Sequence, residues 1–214
     1  MAQWLNTAFS GLDGGVFSAM NAIQCKFLNV FCKFYSYIGE KGLGFILAAL
    51  MLCCFAKTRR IGATALFAIA VGALFTNVIL KGTIARPRPY TTTDFNGFWA
   101  QAGANLESEF SFPSGHTTAS TAFCVALLLS CNKKIGIPML LVALVMGFCR
   151  IYLIVHYFTD VIAGFIVGSL GAVIAKFLVK FIYDFMQKRE DRKVFYFLLN
   201  KDLWWLLTKK NKNG

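Results

Sequence analysis

The sequence predicts an all-α fold, an integral membrane bundle of five or six transmembrane helices with its polar groups gathered at one membrane boundary. Hydrophobic side chains make up 57% of the 214 residues and charged ones 15%, a balance outside that of soluble domains. Apolar runs recur at close to the length that crosses about 30 Å of hydrocarbon. Basic clusters mark alternate ends of those runs, as topology requires.

Taken in chain order, residues 16–38 (VFSAMNAIQCKFLNVFCKFYSYI) are long enough to span but carry Lys26 and Lys33. Seven residues apart, the two lysines share one helical face. A sixth span is the preferred reading and a surface-lying amphipathic helix the alternative. No basic leader with a small-residue cleavage site precedes this stretch, so insertion is expected to rely on internal spans. Residues 42–56 are apolar and end in KTRR at 57–60, and residues 61–80 return without a charge. These two form an expected antiparallel pair. Residues 115–131 lead to NKK at 132–134, residues 135–149 run back to Arg150, and residues 157–182 exit into QKREDRK.

The expected organisation is therefore an N-terminal amphipathic or transmembrane segment (1–41), a helical core (42–186) and a basic, cytoplasmic or interfacial tail (187–214). Within the tail, residues 194–210 read as an interfacial helix with Trp204 and Trp205 at headgroup level. Alternating spans put the basic clusters at 57–60, 133–134 and 188–193 on one side, which the positive-inside rule makes cytoplasmic. The loop from Lys81 to Pro113 and the turn from Arg150 to His156 then share the opposite, extracytoplasmic face. The long stretch 90–112, with Asp94, Glu107 and Glu109, has the length of a functional loop.

A formal charge of +12 raises nucleic acid as a partner, but the basic residues flank apolar runs and form no aromatic-laced groove. Nucleic acid is excluded on that ground. The seven cysteines include no CxxC pair. They read as small buried hydrophobes.

Three stretches bring chemistry to the extracytoplasmic face: KGTIARPRPY (81–90), PSGH (113–116) and RIYLIVHYFTD (150–160). Lys81, Arg86, Arg88 and Arg150 would repel one another without an anion between them. Phosphate suits the planar fork of arginine and the compact charge of lysine. Snorkelling accounts for Lys81 alone, less well for Arg88 and Arg150. Pro113 tolerates a helix start, Ser114 can cap it and Gly115 lets a ligand approach the backbone. The open amides of that turn make an anion cradle, from which His116 can act as general acid on a leaving oxygen. His156 and Asp160, four apart, share a helical face, so the carboxylate can fix the imidazole tautomer and leave the other nitrogen to attack. A His–Asp pair could equally be half a metal site, but no third ligand stands near it, and no metal or other cofactor is predicted.

The order and spacing of these stretches resemble the type 2 phosphatidic acid phosphatase superfamily, whose pattern is Lys, six residues, Arg-Pro; Pro-Ser-Gly-His; and Ser-Arg, five residues, His, three residues, Asp. It falls here on Lys81, Arg88-Pro89, Pro113-Ser114-Gly115-His116, Arg150, His156 and Asp160, with Cys149 in place of the usual serine. The spacing selects Arg88 over Arg86. The resemblance covers about residues 42–182. It implies that Lys81, Arg88, Arg150 and the amides near Ser114 and Gly115 hold a phosphoryl group. His156 attacks phosphorus, Asp160 orients it, His116 protonates the leaving oxygen, and water then hydrolyses a phosphohistidine without metal. The implied substrate is a lipid phosphate or diphosphate of the undecaprenyl diphosphate, phosphatidylglycerophosphate or phosphatidate type, in a bacterial cytoplasmic membrane. The same resemblance reaches soluble vanadate-dependent haloperoxidases, which the continuous spans argue against. An anion or lipid transporter and a non-catalytic lipid-binding protein are the alternatives. Charge-free spans weigh against the first, and an intact nucleophile, acid and carboxylate against the second.

Overall fold

Backbone groups facing lipid must find their partners inside their own segment, and the chain meets that demand with helices. The structure, a computed structural model, describes residues 1–91 and 95–202 and contains no strand among them. In chain order the helices are α1 (Ala2–Ala8), α2 (Ser10–Ala22), α3 (Lys26–Ile38), α4 (Leu43–Cys54), α5 (Ala56–Ala73), α6 (Lys81–Ile84), α7 (Asn96–Ala102), α8 (Gly115–Ser130), α9 (Lys133–Tyr152), α10 (Phe158–Gln187) and α11 (Lys193–Asn200). A π-helical segment, Leu74–Leu80, joins α5 to α6, so that one helical path runs to Lys81.

Four stretches are long and apolar enough to cross a bilayer: Lys26–Cys54, Ala56–Thr91, Lys133–Tyr152 and Phe158–Gln187. Helix α8 is shorter, at 16 residues, and lies among the others, packed on α5, α9 and α10. Its inward residues include Thr117, Thr118, Ser120 and Thr121, an acceptable composition for a helix with little lipid contact. Large apolar residues point outward, for example Ile166, Leu170, Phe177 and Phe181 on α10, while Gly164, Gly168, Gly171, Ala172 and Ala175 of the same helix are buried. Small residues let helices in lipid approach closely. At Gly168 a Cβ would stand 2.6 Å from the Thr118 carbonyl oxygen and 2.9 Å from the Ala122 nitrogen, so α10 and α8 meet backbone to backbone.

Residues 16–38 do not form the single helix expected of a sixth span. The chain breaks between α2 and α3 because tertiary partners take its polar groups there. Gln24 Nε2 donates to the Phe98 carbonyl at 3.1 Å, and the Cys25 amide donates to Tyr152 Oη at 3.1 Å. Helix α3 instead continues towards α4 through a tight turn in which Lys41 (φ 48°) and Gly42 (φ 74°) are both left-handed. Helix α5 begins at Ala56 and carries the KTRR cluster in its first turns. Arg59 is buried there, its guanidinium donating to the carbonyls of Cys53 at 2.9 Å and Lys201 at 2.7 Å. Residues beyond 202, including Trp204 and Trp205, lie outside the described residues, as does Asp94. Of the expected interfacial helix, the described part is α11.

Candidate active site

The three polar stretches converge. Lys81 stands where the π-helical segment passes into α6, His116 in the first turn of α8, Arg150 in the last turn of α9, and His156 in the turn between α9 and α10. All of them, with Arg88 and Gly115, line one cavity of about 630 Å³. A π-helical insertion re-aims the side chains that follow it and recurs at functional sites.

His156 precedes α10 and does not share a helical face with Asp160 as the i,i+4 spacing had suggested. Helix α10 starts at Phe158, and Asp160, its third residue, accepts the Tyr157 amide at 3.0 Å as an N-terminal cap. The imidazole is held at both nitrogens. Nδ1 lies 2.8 Å from the Ser111 carbonyl and 3.6 Å from Asp160 Oδ2, while Nε2 lies 3.0 Å from Arg88 Nη1. A carbonyl can only accept and a guanidinium can only donate. These partners therefore assign the proton to Nδ1 and leave the Nε2 lone pair towards the cations. The nearest acceptor is thus a backbone carbonyl that the sequence reading did not include, with Asp160 behind it.

Asp160 is itself bound elsewhere. Its Oδ1 accepts from Arg86 Nη1 at 2.6 Å, and its Oδ2 accepts the Ser111 hydroxyl. Arg86 is fully buried and forks further, to Asp13 Oδ2 at 2.8 Å, Thr159 Oγ1 at 2.7 Å and Asn6 Oδ1 at 2.8 Å. Its guanidinium carbon lies 3.6 Å over the Tyr157 ring. The N-terminal helices thereby reach the site from behind. Arg86, which the motif spacing passed over, is not among the residues lining the cavity, and the spacing gave no sign of this network.

Arg88 is held by the carbonyls of Glu109 at 2.8 Å and Val155 at 2.9 Å. Side-chain carboxylates meet the cations: Glu107 pairs with Arg150 and lies 3.5 Å from Arg88, and Glu109 pairs with Lys81. Burial would raise the Glu107 carboxyl, but Arg150 and Arg88 outweigh it and hold the group below its ordinary range. Ser114 caps α8 as expected, its Oγ accepting from Thr117 Oγ1 at 3.0 Å and the Thr117 amide at 3.4 Å. Its own amide is turned away from the cavity to the Asp160 carbonyl at 3.1 Å. This leaves Gly115 and His116 as the first-turn amides without an intrahelical acceptor. Cys149 is buried in an apolar cluster with Cys32 and Tyr152.

The pattern of the PAP2 superfamily matches residues 61–187, a span that holds every one of the motif residues. The chain belongs to the PAP2 superfamily. It is an integral membrane protein of that family, similar to an undecaprenyl-diphosphatase of Sulfolobus acidocaldarius (30% identity, 74% of each chain) and to the undecaprenyl-diphosphatase BcrC of Bacillus subtilis (30%, 65% of this chain and 66% of that one). Among solved structures, a transmembrane PAP2-type phosphatidylglycerolphosphate phosphatase from Bacillus subtilis superposes with a TM-score of 0.60 at 28% identity, covering 83% of this chain and 87% of that one. Aquifex aeolicus LpxE gives 0.58 at 25%, covering 77% and 94%. Asn6, Asp13 and the α3–α4 turn of this PAP2 protein lie outside the matched span.

Proposed function

We propose that this PAP2 protein is a membrane lipid phosphatase that transfers a phosphoryl group from a lipid phosphate or diphosphate to His156 and then to water. The observation that carries the reading is the presentation of His156 Nε2 to the cavity shared by Lys81, Arg88 and Arg150, with Nδ1 engaged by the Ser111 carbonyl. In this reading Nε2 attacks phosphorus, the bond to the leaving oxygen breaks, and His116 gives that oxygen its proton. Water, deprotonated by His116, then displaces the histidine and releases inorganic phosphate. Lys81, Arg88, Arg150 and the amides of the α8 first turn stabilise charge on the equatorial oxygens. Asp160 acts with Ser111 to hold the imidazole. Ser114, whose Oγ and amide face the protein, serves by shaping that turn.

Phosphate release from a panel of lipid phosphates is expected to persist in chelator, since the basic side chains supply the positive charge. Quenched with alkali in single turnover, the enzyme should retain label from a phosphorus-labelled substrate as an acid-labile adduct on His156. Loss of activity with chelator that only a divalent cation restores would overturn the metal-free route. The pH profile adds a second expectation. Burial first, then Arg88 and Arg150, hold the His156 imidazole well below the ordinary histidine range, so it stays neutral and nucleophilic in mild acid. The acid limb of kcat/KM is expected below about pH 6.5, the ordinary histidine value from which burial and these arginines lower the group. An acid limb above neutrality would contradict the assignment of His156.

The basic residues of α5, the α8–α9 turn and the end of α10 lie at the opposite ends of their helices from the cavity. This supports an extracytoplasmic site with a cytoplasmic C-terminus in a bacterial inner membrane. Residues 42–186 are the phosphatase core in this reading, residues 1–41 dock on it, and residues 187–214 are its basic tail.

A further inference from the structure

The cavity continues past the motif cations to a wall built by the end of α3 and the turn into α4, where Lys33, Ser36, Tyr37, Glu40 and Lys41 line it. Three features separate this wall from an ordinary headgroup-facing surface. Its position is on the His116 side: a Cβ on Gly39 would stand 3.4 Å from His116 Cδ2. Its cations are open, since among the described residues Lys33 and Lys41 form no salt bridge, whereas Lys81, Arg88 and Arg150 each meet a carboxylate. Its serine is orphaned, for Ser36 is only 6% exposed and its Oγ, closed to solvent, has no hydrogen-bond partner. A buried hydroxyl without a partner is unfavourable unless something else supplies one. Lys41 also holds a left-handed backbone (φ 48°), a conformation that lysine adopts rarely.

We propose that Lys33, Ser36 and Lys41 form a second anion subsite that receives the leaving-group phosphate of a lipid diphosphate. The subsite rests on the assignment of His156 as nucleophile and His116 as acid. Attack on the terminal phosphorus by His156 Nε2 breaks its bond to the bridging oxygen, and His116 protonates that oxygen. The departing lipid monophosphate therefore emerges beside His116, where two lysines outnumber Glu40 and the Ser36 hydroxyl can donate. A monophosphate ester places only its lipid alcohol there and gains nothing from the lysines. The wall thus selects diphosphates over monophosphates of the same lipid.

The test compares phosphate release from farnesyl diphosphate and farnesyl monophosphate by the purified full chain in detergent, for wild type, Lys33→Gln, Lys41→Asn and Ser36→Ala. Lys33 is exposed, and asparagine tolerates the left-handed backbone at position 41, so neither lysine variant endangers the fold. The ratio of kcat/KM for diphosphate over monophosphate is expected to fall about tenfold for each lysine, as for a lost charge-assisted hydrogen bond, and severalfold for Ser36→Ala. Inhibition by methylene diphosphonate should weaken about tenfold in the lysine variants relative to inhibition by inorganic phosphate. An unchanged ratio, or equal loss on both substrates as expected of lysines that only snorkel to lipid headgroups, overturns the subsite. The diphosphonate has no bridging oxygen and is not turned over, so its inhibition reports the subsite whichever group attacks phosphorus and separates failure of the subsite from failure of the His156 assignment. The latter shows instead as label trapped elsewhere than on His156.

Discussion

Replacing His156 with glutamine is expected to abolish turnover while leaving substrate affinity within a few-fold of wild type. Glutamine approximates the imidazole's volume and keeps a donor for the Ser111 carbonyl, so the cavity keeps its shape. What disappears is the Nε2 lone pair, and with it the covalent route. A fall in kcat of about a thousandfold or more, on the order of 4 kcal/mol of transition-state stabilisation, with little change in KM, is the predicted signature. Ser111→Ala makes the informative comparison. The carbonyl 2.8 Å from Nδ1 belongs to the backbone and survives the substitution, so its effect should be far smaller. If the His156→Gln enzyme keeps more than a tenth of wild-type kcat, another group attacks phosphorus and the mechanism above is wrong.

Arg86→Met should have the largest effect on stability. The guanidinium is fully buried between Asp13 and Asp160, which are 3% and 0% exposed, and its removal leaves both carboxylates without their cation. Removing one partner of a buried ion pair costs about 3–5 kcal/mol. For a chain of this size that is a drop in melting temperature on the order of 10 °C in detergent. Asp13→Asn keeps a polar partner for Arg86 and should cost less. Combining the two substitutions should cost less than the sum of the singles, because each removes part of the same interaction. The Arg86 variant should also lose activity, through freed motion of Asp160 and of the Ser111 loop that holds His156. A variant that melts within a degree or two of wild type would show that the network has no structural weight.

Which parts of this site a reader can find in the sequence depends on how each residue acts. In the proposed mechanism Lys81, Arg88, His116, Arg150 and His156 act through their side chains, so residue type and spacing along the chain reveal them, and the cavity brings all of them together. Ser111 meets His156 through its carbonyl, which every residue has, and no residue type could mark it. Asp13 meets Arg86 across 73 residues of chain, a pairing with no periodicity to follow. The apolar runs at 61–80, 115–131, 135–149 and 157–182 were legible as helices because lipid permits little else. The stretch 16–38 misled because its length and hydropathy suit one helix, while Tyr152 and Phe98 offer partners to the backbone and side chains at residues 24 and 25 that no local pattern records.

The loop that carries Glu107 and Glu109 places a carboxylate against each of the motif cations. An arriving anion therefore cannot simply fall into a vacant positive well; it must evict a resident of the same sign. A chloride or an acetate brings one charge and exchanges like for like, with little net gain. A phosphoryl group with two charges and three oxygens outbids a single carboxylate at several donors at once. In the proposed reading the pocket is therefore a threshold on valence, passing over monovalent anions far more numerous than any lipid headgroup.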